Sequence, residues 1–292
     1  MKPMTVIALS ALALATLASA QWIDTTLTLG AAPTRFCYNS QNDRVYVACW
    51  EGESVYVIDG ATDAVLASVP VGSHAQSLCY NWTDNKVYCA NEGSNTITVI
   101  DGASSAVLNT ITTVAGPYRL AWDSLDNRLY CASFFNATVT ALDCANDSAV
   151  ATIPVLTQPY AICYTPNSGL VYVADRGSDT VSVIDCASNT VIASLPSPGG
   201  PNALCWNNQR NKVYAANQDS GNVTVIDCAT NTVITTLPVG GHPYSICYVP
   251  TENRVYCANS SHNTVSVIDG AFDLVIATVP VGAGPMDICY AE

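Results

Sequence analysis

Residues 243–282 alternate between short apolar runs and polar breaks. Ser245-Ile246-Cys247-Tyr248-Val249, Arg254-Val255-Tyr256-Cys257-Ala258, Thr264-Val265-Ser266-Val267-Ile268 and Leu274-Val275-Ile276-Ala277-Thr278-Val279 are separated by Pro, Gly, Asn, Asp and Ser. The third run switches polar and apolar with period two, and the set is rich in β-branched and aromatic residues, so each run reads as a β-strand. The pattern recurs at a fixed step. Asp59, Asp101, Asp143, Asp185, Asp227 and Asp269 stand 42 residues apart, as do Tyr46, Tyr88, Tyr130, Tyr172, Tyr214 and Tyr256. Pro33, Pro117, Pro159, Pro201, Pro243 and Pro285 keep the same register, with Ala75 in the one substituted place. The spacings of three and four that a helical solenoid needs are absent, and a β-sandwich would not hold one register six times. A four-stranded sheet cannot bury both faces alone. Four strands in each such period therefore predict an all-β chain of blades stacked about an axis, a β-propeller forming a single domain over residues 21–292.

The runs Val45-Tyr46-Val47-Ala48, Val171-Tyr172-Val173-Ala174, Thr180-Val181-Ser182-Val183-Ile184-Asp185 and Val279-Pro280-Val281-Gly282 resemble the YVTN-type β-propeller repeat of exported bacterial and archaeal proteins, YncE-like proteins among them. The resemblance covers about residues 25–292 and implies four-stranded antiparallel blades. For function it implies a range: periplasmic binding and scaffold proteins, surface-layer proteins, propeller subunits of quinoprotein dehydrogenases and, through YncE-like proteins, nucleic-acid binding.

Strand types are not equally represented. The innermost recurs seven times, at Cys37, Cys79, Ala121, Cys163, Cys205, Cys247 and Cys289, and the outermost seven times if Thr26–Gly30 is aligned with Gly72, Gly240 and Gly282; the two middle strands recur six times. This predicts six complete blades plus a split, incomplete seventh, in a chain that reads as truncated at its C-terminus, roughly 20 residues short of a closed ring. A complete six-bladed ring with loose terminal strands is the alternative. Exposed edges on a split blade would invite oligomerisation through it.

Met1–Ala20 opens with Lys2, runs apolar from Val6 to Leu17 and closes on Ala18-Ser19-Ala20, the pattern of a cleaved signal peptide. An extracytoplasmic location follows as an expectation: periplasmic, cell-surface or secreted. Removing the segment leaves nine basic against 23 acidic residues, a formal charge of −14, which argues against nucleic acid and anionic lipid as partners. Only 11% of residues are charged, so the surface must be built largely from Asn, Ser, Thr and Gln. Of the 13 Cys, six fill one inner-strand position where the other copy is Ala121, which favours packed free thiols over disulfides. Taking the residue ten positions on as the cross-strand neighbour would pair Cys79 with Cys89 and Cys247 with Cys257. No C-x-x-C occurs, so neither a zinc site, nor a thiol-redox site, nor attached haem is expected, and no cofactor is assigned.

The repeated Asp, at a turn such as Asp185-Cys186-Ala187-Ser188-Asn189, reads as an acceptor for backbone N–H groups and not as a catalytic set. Functional residues are better sought where the repeat breaks its rule. His74 and His242 precede inner strands and His262 lies between middle strands, in loops expected on one face; Trp50, Glu51, Glu92, Phe134, Phe135, Arg176 and Gln218 share that variable patch. Near the start of the inner strand the equivalents run Arg35, Ser77, Arg119, Ala161, Ala203, Ser245 and Asp287. Arg35 and Arg119 there either pair with local acids or carbonyls or contact an anionic or polar ligand. The ligand-binding candidates are Arg35, Arg119, Arg176, Trp50, His74, His242, His262 and Asp287. His242 with His262 lacks a third ligand, so no metal site is assigned. The expected function is an exported non-catalytic binding or scaffold module acting through its loop face on a polar polymer, peptide or protein. The alternative is a propeller enzyme of lactonase or lyase type, or a quinoprotein-type dehydrogenase subunit.

Overall fold

The computed structural model describes residues 26–114 and 116–290; the expected signal peptide lies outside the described residues. Among them, 24 strands form six four-stranded antiparallel sheets, each ordered as in the chain. These sheets are the blades of a β-propeller. Blade 1 comprises β1 (Pro33–Asn39), β2 (Arg44–Cys49), β3 (Ser54–Asp59) and β4 (Val65–Pro70); blade 2 comprises β5 (Ala75–Asn81), β6 (Lys86–Asn91), β7 (Thr96–Asp101) and β8 (Val107–Thr112). Blade 3 follows with β9 (Pro117–Asp123), β10 (Arg128–Ser133), β11 (Thr138–Asp143) and β12 (Ser148–Pro154), and blade 4 with β13 (Pro159–Thr165), β14 (Leu170–Asp175), β15 (Thr180–Asp185) and β16 (Thr190–Pro196). Blade 5 holds β17 (Pro201–Asn207), β18 (Lys212–Asn217), β19 (Asn222–Asp227) and β20 (Thr232–Pro238); blade 6 holds β21 (Pro243–Val249), β22 (Arg254–Asn259), β23 (Thr264–Asp269) and β24 (Leu274–Pro280). The chain divides into two compact units, Thr25–Ile162 and Cys163–Glu292, with the division inside β13.

Within the first unit the first strands of successive blades adjoin, β1 beside β5 and β5 beside β9; in the second unit β17 lies beside β21. Apolar faces meet between blades. Tyr88, Ile97, Val99 and Ile111 of blade 2 pack against Leu120, Trp122, Leu129 and Leu142 of blade 3, and Tyr214, Val223 and Leu237 of blade 5 against Ile246, Val255 and Ile268 of blade 6. The strands turn where the repeat supplies residues tolerant of positive φ. Asn85 (50°), Asn95 (56°) and Ser105 (62°) mark the three turns within blade 2, His74 (54°) the connection before it, and equivalents recur in the other blades. Each repeated Asp does the turn work expected of it: Asp101 Oδ1 accepts from the N–H groups of Ala103 (3.1 Å) and Ser104 (2.6 Å), and Asp227 Oδ1 from those of Ala229 (2.7 Å) and Thr230 (3.3 Å).

One end of the blades, formed by the first and third turns, carries a repeated set of blade-to-blade bonds. Asn39 Nδ2 donates to Asn85 Oδ1 (2.9 Å), Asn81 Nδ2 to Asn127 Oδ1 (2.8 Å) and Asn207 Nδ2 to Asn253 Oδ1 (2.9 Å). Tyr46 donates its hydroxyl to Gly102 O (3.0 Å), Tyr88 to Asp147 (2.9 Å), Tyr172 to Asn231 (2.6 Å) and Tyr214 to Asp273 (2.6 Å). Tyr256 of blade 6 turns to Glu252 of its own blade instead (3.0 Å).

All 13 cysteines are free. The cross-strand expectation needs correction: Cys79 lies opposite Tyr88 and Leu78 opposite Cys89, and Cys247 lies opposite Tyr256 and Ile246 opposite Cys257. The partner is nine residues on, not ten. Because successive residues of a strand alternate faces, Cys79 and Cys89 point to opposite sides of the blade. Burial raises the Cys79 and Cys163 thiols to about 12 and those of Cys144, Cys228 and Cys247 to about 11.

Every outer strand has a β-bulge, at Leu66, Leu108, Val150, Ile192, Ile234 and Ile276, and these side chains are exposed. The bulge twists an open edge away from further pairing, which accounts for a regular row of exposed apolar residues without a partner. Residues 26–30 and 286–290, the expected strands of a split seventh blade, have no strand structure. In the second unit, Ile288 nevertheless packs against Tyr256, Val265 and Val267, and Ser245 Oγ donates to Asp287 Oδ1 (2.8 Å).

Candidate binding site

The second turn of each blade and the connection preceding its first strand meet at the other end. Glu92 N–H donates to His74 O (3.0 Å), Phe134 to Gly116 O (2.8 Å), Gln218 to Gly200 O (3.1 Å) and Ser260 to His242 O (2.9 Å). The variable loops are thus pinned in pairs by backbone bonds, which leaves their side chains free to differ. A second device acts here. In β1, β5, β9, β17 and β21 the residue after the first position is a bulge, at Thr34, Gln76, Tyr118, Asn202 and Tyr244. A bulged residue is released from the ladder and its side chain is re-aimed, so this column tolerates any chemistry.

In the first unit the column produces a cluster. The Tyr118 ring lies 5.0 Å from that of Tyr160, 42 residues on, and 5.3 Å from Phe134; Phe134 meets exposed Phe135 edge-on at 5.1 Å. The Arg119 guanidinium sits 4.4 Å from the Tyr118 centroid and 5.6 Å from that of Tyr160. Its NH1 donates to Gln76 O (3.2 Å) and Tyr118 O (3.1 Å). Arg119 thus bonds to local carbonyls, one of them in the preceding blade. Farther along, Gln76 Nε2 donates to Glu92 Oε2 (3.2 Å), and Trp50 stacks on His74 at 4.2 Å and 16°. Arg35 is half-buried in β1 opposite Ala48.

The second unit assembles different groups. His242 and His262 come together, with Asp219, along a shallow cleft of about 510 Å³ that Gly240 and Gly241 also line. His262 Nδ1 accepts from Gly241 N–H (2.9 Å). Arg176, in a 3-10 turn after β14, forms an exposed ion pair with Asp219 at 3.5 Å. Asp287 is taken by Ser245 and by its own neighbour, Ile288 N–H (2.9 Å). Asn202, 5% exposed, donates Nδ2 to Tyr244 O (3.2 Å) while its Oδ1 finds no partner. Among the described residues, no group of three or more His, Cys, Asp or Glu is placed to hold a metal ion.

Tyr118, Tyr160 and Gln76 were not among the sequence candidates. Their signal was the column beside the Arg119 column, which reads Thr, Gln, Tyr, Tyr, Asn, Tyr and Met where its Pro neighbour is nearly constant.

Residues 157–254 match the YNCE-like β-propeller family. The YNCE-like match takes in Tyr160, Arg176 and His242 but leaves Trp50, His74, Arg119 and Phe134 outside. No curated protein matches the chain. Among solved structures the chain is similar to Kuenenia stuttgartiensis hydrazine synthase, with 18% identity, a TM-score of 0.75 and 93% of each chain covered. It is also similar to the dihydro-heme d1 dehydrogenase NirN in complex with DHE (16%, TM-score 0.74, 86% of this chain and 57% of that one) and to U3-55K (12%, TM-score 0.74, 91% and 86%). At such identities the likeness bears on the fold alone, and it agrees with the YNCE-like match that the fold is a propeller.

Proposed function

We propose that the protein is an exported, non-catalytic binding module that presents the loop end of its blades to a polar polymer, peptide or partner protein. The observation that carries this reading is the half-buried ring cluster of Tyr118, Tyr160 and Phe134, held by Arg119 at the loop end of the blades. Aromatic surface stabilised in place but left open to solvent is what recognition uses. A lactonase-type reaction would call for several carboxylates converging on one cation, and the ring cluster is not built that way. Export rests on the Met1–Ala20 pattern, and the acidic charge disfavours nucleic acid as the ligand. A thermal-shift screen of the whole protein against sugars, peptides, small anions and divalent cations tests the proposal. Stabilisation by a sugar or peptide without turnover supports it. A large Ca²⁺ shift accompanied by ester or lactone turnover overturns it in favour of the enzyme.

A further inference from the structure

The contacts at the loop end of the first unit form an unbroken chain. Trp50 stacks on His74, whose carbonyl accepts from Glu92 N–H; the Glu92 carboxylate accepts from Gln76, whose carbonyl accepts from Arg119; and Arg119 lies on Tyr118 and Tyr160. The result is a strip with a platform of aromatic rings at each end, Trp50 stacked on His74 and Tyr118 tilted against Tyr160 and Phe134, and an amide and a carboxylate between them. We infer that this strip binds a neutral glycan chain, the two platforms carrying sugar rings and the Gln76–Glu92 segment meeting the hydroxyls between them. The inference rests on the reading of the protein as a binding module.

Three features select this ligand class. A pyranose ring has an apolar C–H face and a polar edge, which is the chemistry of an aromatic platform flanked by hydrogen-bonding side chains. An anionic polymer is opposed by Glu92 within the strip and by the excess of acidic residues over the whole chain. Arg119 donates to two carbonyls and lies over two ring faces, so it acts as a positioning residue that fixes the Tyr118–Tyr160 spacing. Lysine could not replace it, because a compact ammonium cannot reach two rings and two carbonyls at once as a guanidinium does. A folded protein partner would want a broad face of about 800 Å² per side, whereas this strip is a row of single rings and short polar links.

Titration calorimetry of the whole protein with cellohexaose, mannohexaose and chitohexaose, with an oligogalacturonate and a mixed peptide pool alongside, tests the inference. At least one neutral hexasaccharide should bind, and Tyr118→Ala or Tyr160→Ala should weaken it about tenfold, the scale of one aromatic contact. Tyr118→Phe, which keeps the ring plane, should bind within about twofold of wild type. Arg119→Lys should weaken binding although no charge is lost, and His262→Ala, in the other unit, should leave it unchanged. Glycan binding indifferent to Tyr118→Ala and Tyr160→Ala overturns the strip but not the binding module. Binding of the peptides or the oligogalacturonate alone overturns the glycan and again spares the module. Failure of every probe to bind overturns the inference, and Ca²⁺-dependent turnover removes the module itself.

Discussion

At the turn end of the blades, Tyr88, Tyr172 and Tyr214 each send a hydroxyl to the last turn of the following blade, and Asn81 and Asn207 each bridge to the next first turn. At the loop end, the bulged residue is Gln76 in one blade, Tyr118 in the next, and Asn202 or Tyr244 in others. Both ends belong to the same strands. The turn end must satisfy buried polar groups between blades, and that requirement is the same in every period. The loop end pins its loops in pairs by backbone bonds that any residue can supply, so its side chains can differ from blade to blade. If this division is right, scaffold changes should move stability and loop-end changes should move binding.

The largest effect should come from the buried thiols of the strands and of the turn end. A thiol whose folded pKa is raised stabilises the fold fully below its unfolded pKa and ceases to do so as pH rises through the folded value. Unfolded cysteines ionise from about pH 8.5, and each then withdraws up to about 1.4 kcal/mol per pH unit. With Cys144, Cys228 and Cys247 at about 11 and Cys79 and Cys163 at about 12, stability should fall steadily from about pH 9 to 12. Guanidinium midpoints at pH 7, 9 and 10 would measure this, and Cys79→Ala should lessen the slope. A flat profile would mean the thiols are not part of the scaffold.

Next in size is Tyr214→Ala. The side chain is fully buried in the core shared by blades 5 and 6, and its hydroxyl holds Asp273 beside Lys212. A loss of about 3–5 kcal/mol is expected from the cavity and the broken bond. Tyr256→Ala should cost less, because that ring bonds within its own blade. Equal losses at the two positions would show that the hydroxyl contact to the next blade contributes nothing.

This scaffold was legible in the sequence because it repeats. The Tyr and Asp columns, the four strands and the turn role of Asp101 could all be read from a step of 42, and six copies of one residue type at one place already suggest a shared physical demand. The loop end was legible only as a set of exceptions. His242 and His262 were placed in loops of one blade, and one cleft does hold them both. The placement of Tyr118 at a bulge was not legible, because a β-bulge is a property of pairing register and leaves no fixed residue behind. The same blindness to register put Cys89 opposite Cys79, one position from its actual neighbour Leu78.

Two asparagines five residues apart on β17 set the ends against each other directly. Asn207 donates to Asn253 Oδ1 and accepts from the N–H groups of Gln209 and Arg210, both at 3.0 Å, with its side chain fully buried. Asn207→Ala strands all of these and should cost about 1–3 kcal/mol. Asn202→Ala removes one bond to Tyr244 O and an Oδ1 that has no partner, so its cost should stay under about 1 kcal/mol. Urea denaturation of the two variants would decide it, and the reverse order would sink the division of labour between the ends.

The smallest effect should come from the turn aspartates, which are half-buried. Asp185 is held below the usual carboxylate range by the Ser188 hydroxyl and by Ser188 N–H, and Asp101 likewise by Ser104. A lowered folded pKa gives stability that is present above the unfolded value of about 3.9 and is lost as pH falls through the folded one. Stability should therefore decline slightly below about pH 4. In Asp185→Asn the amide oxygen can still accept from Ser188, but it cannot gain a proton, so the variant should lose part of that acid slope while keeping the turn. Melting temperatures at pH 5 and pH 3 would show the gap between wild type and variant narrowing toward acid. A gap that stays constant would mean the carboxylate is a spectator and the turn is set by backbone preference alone.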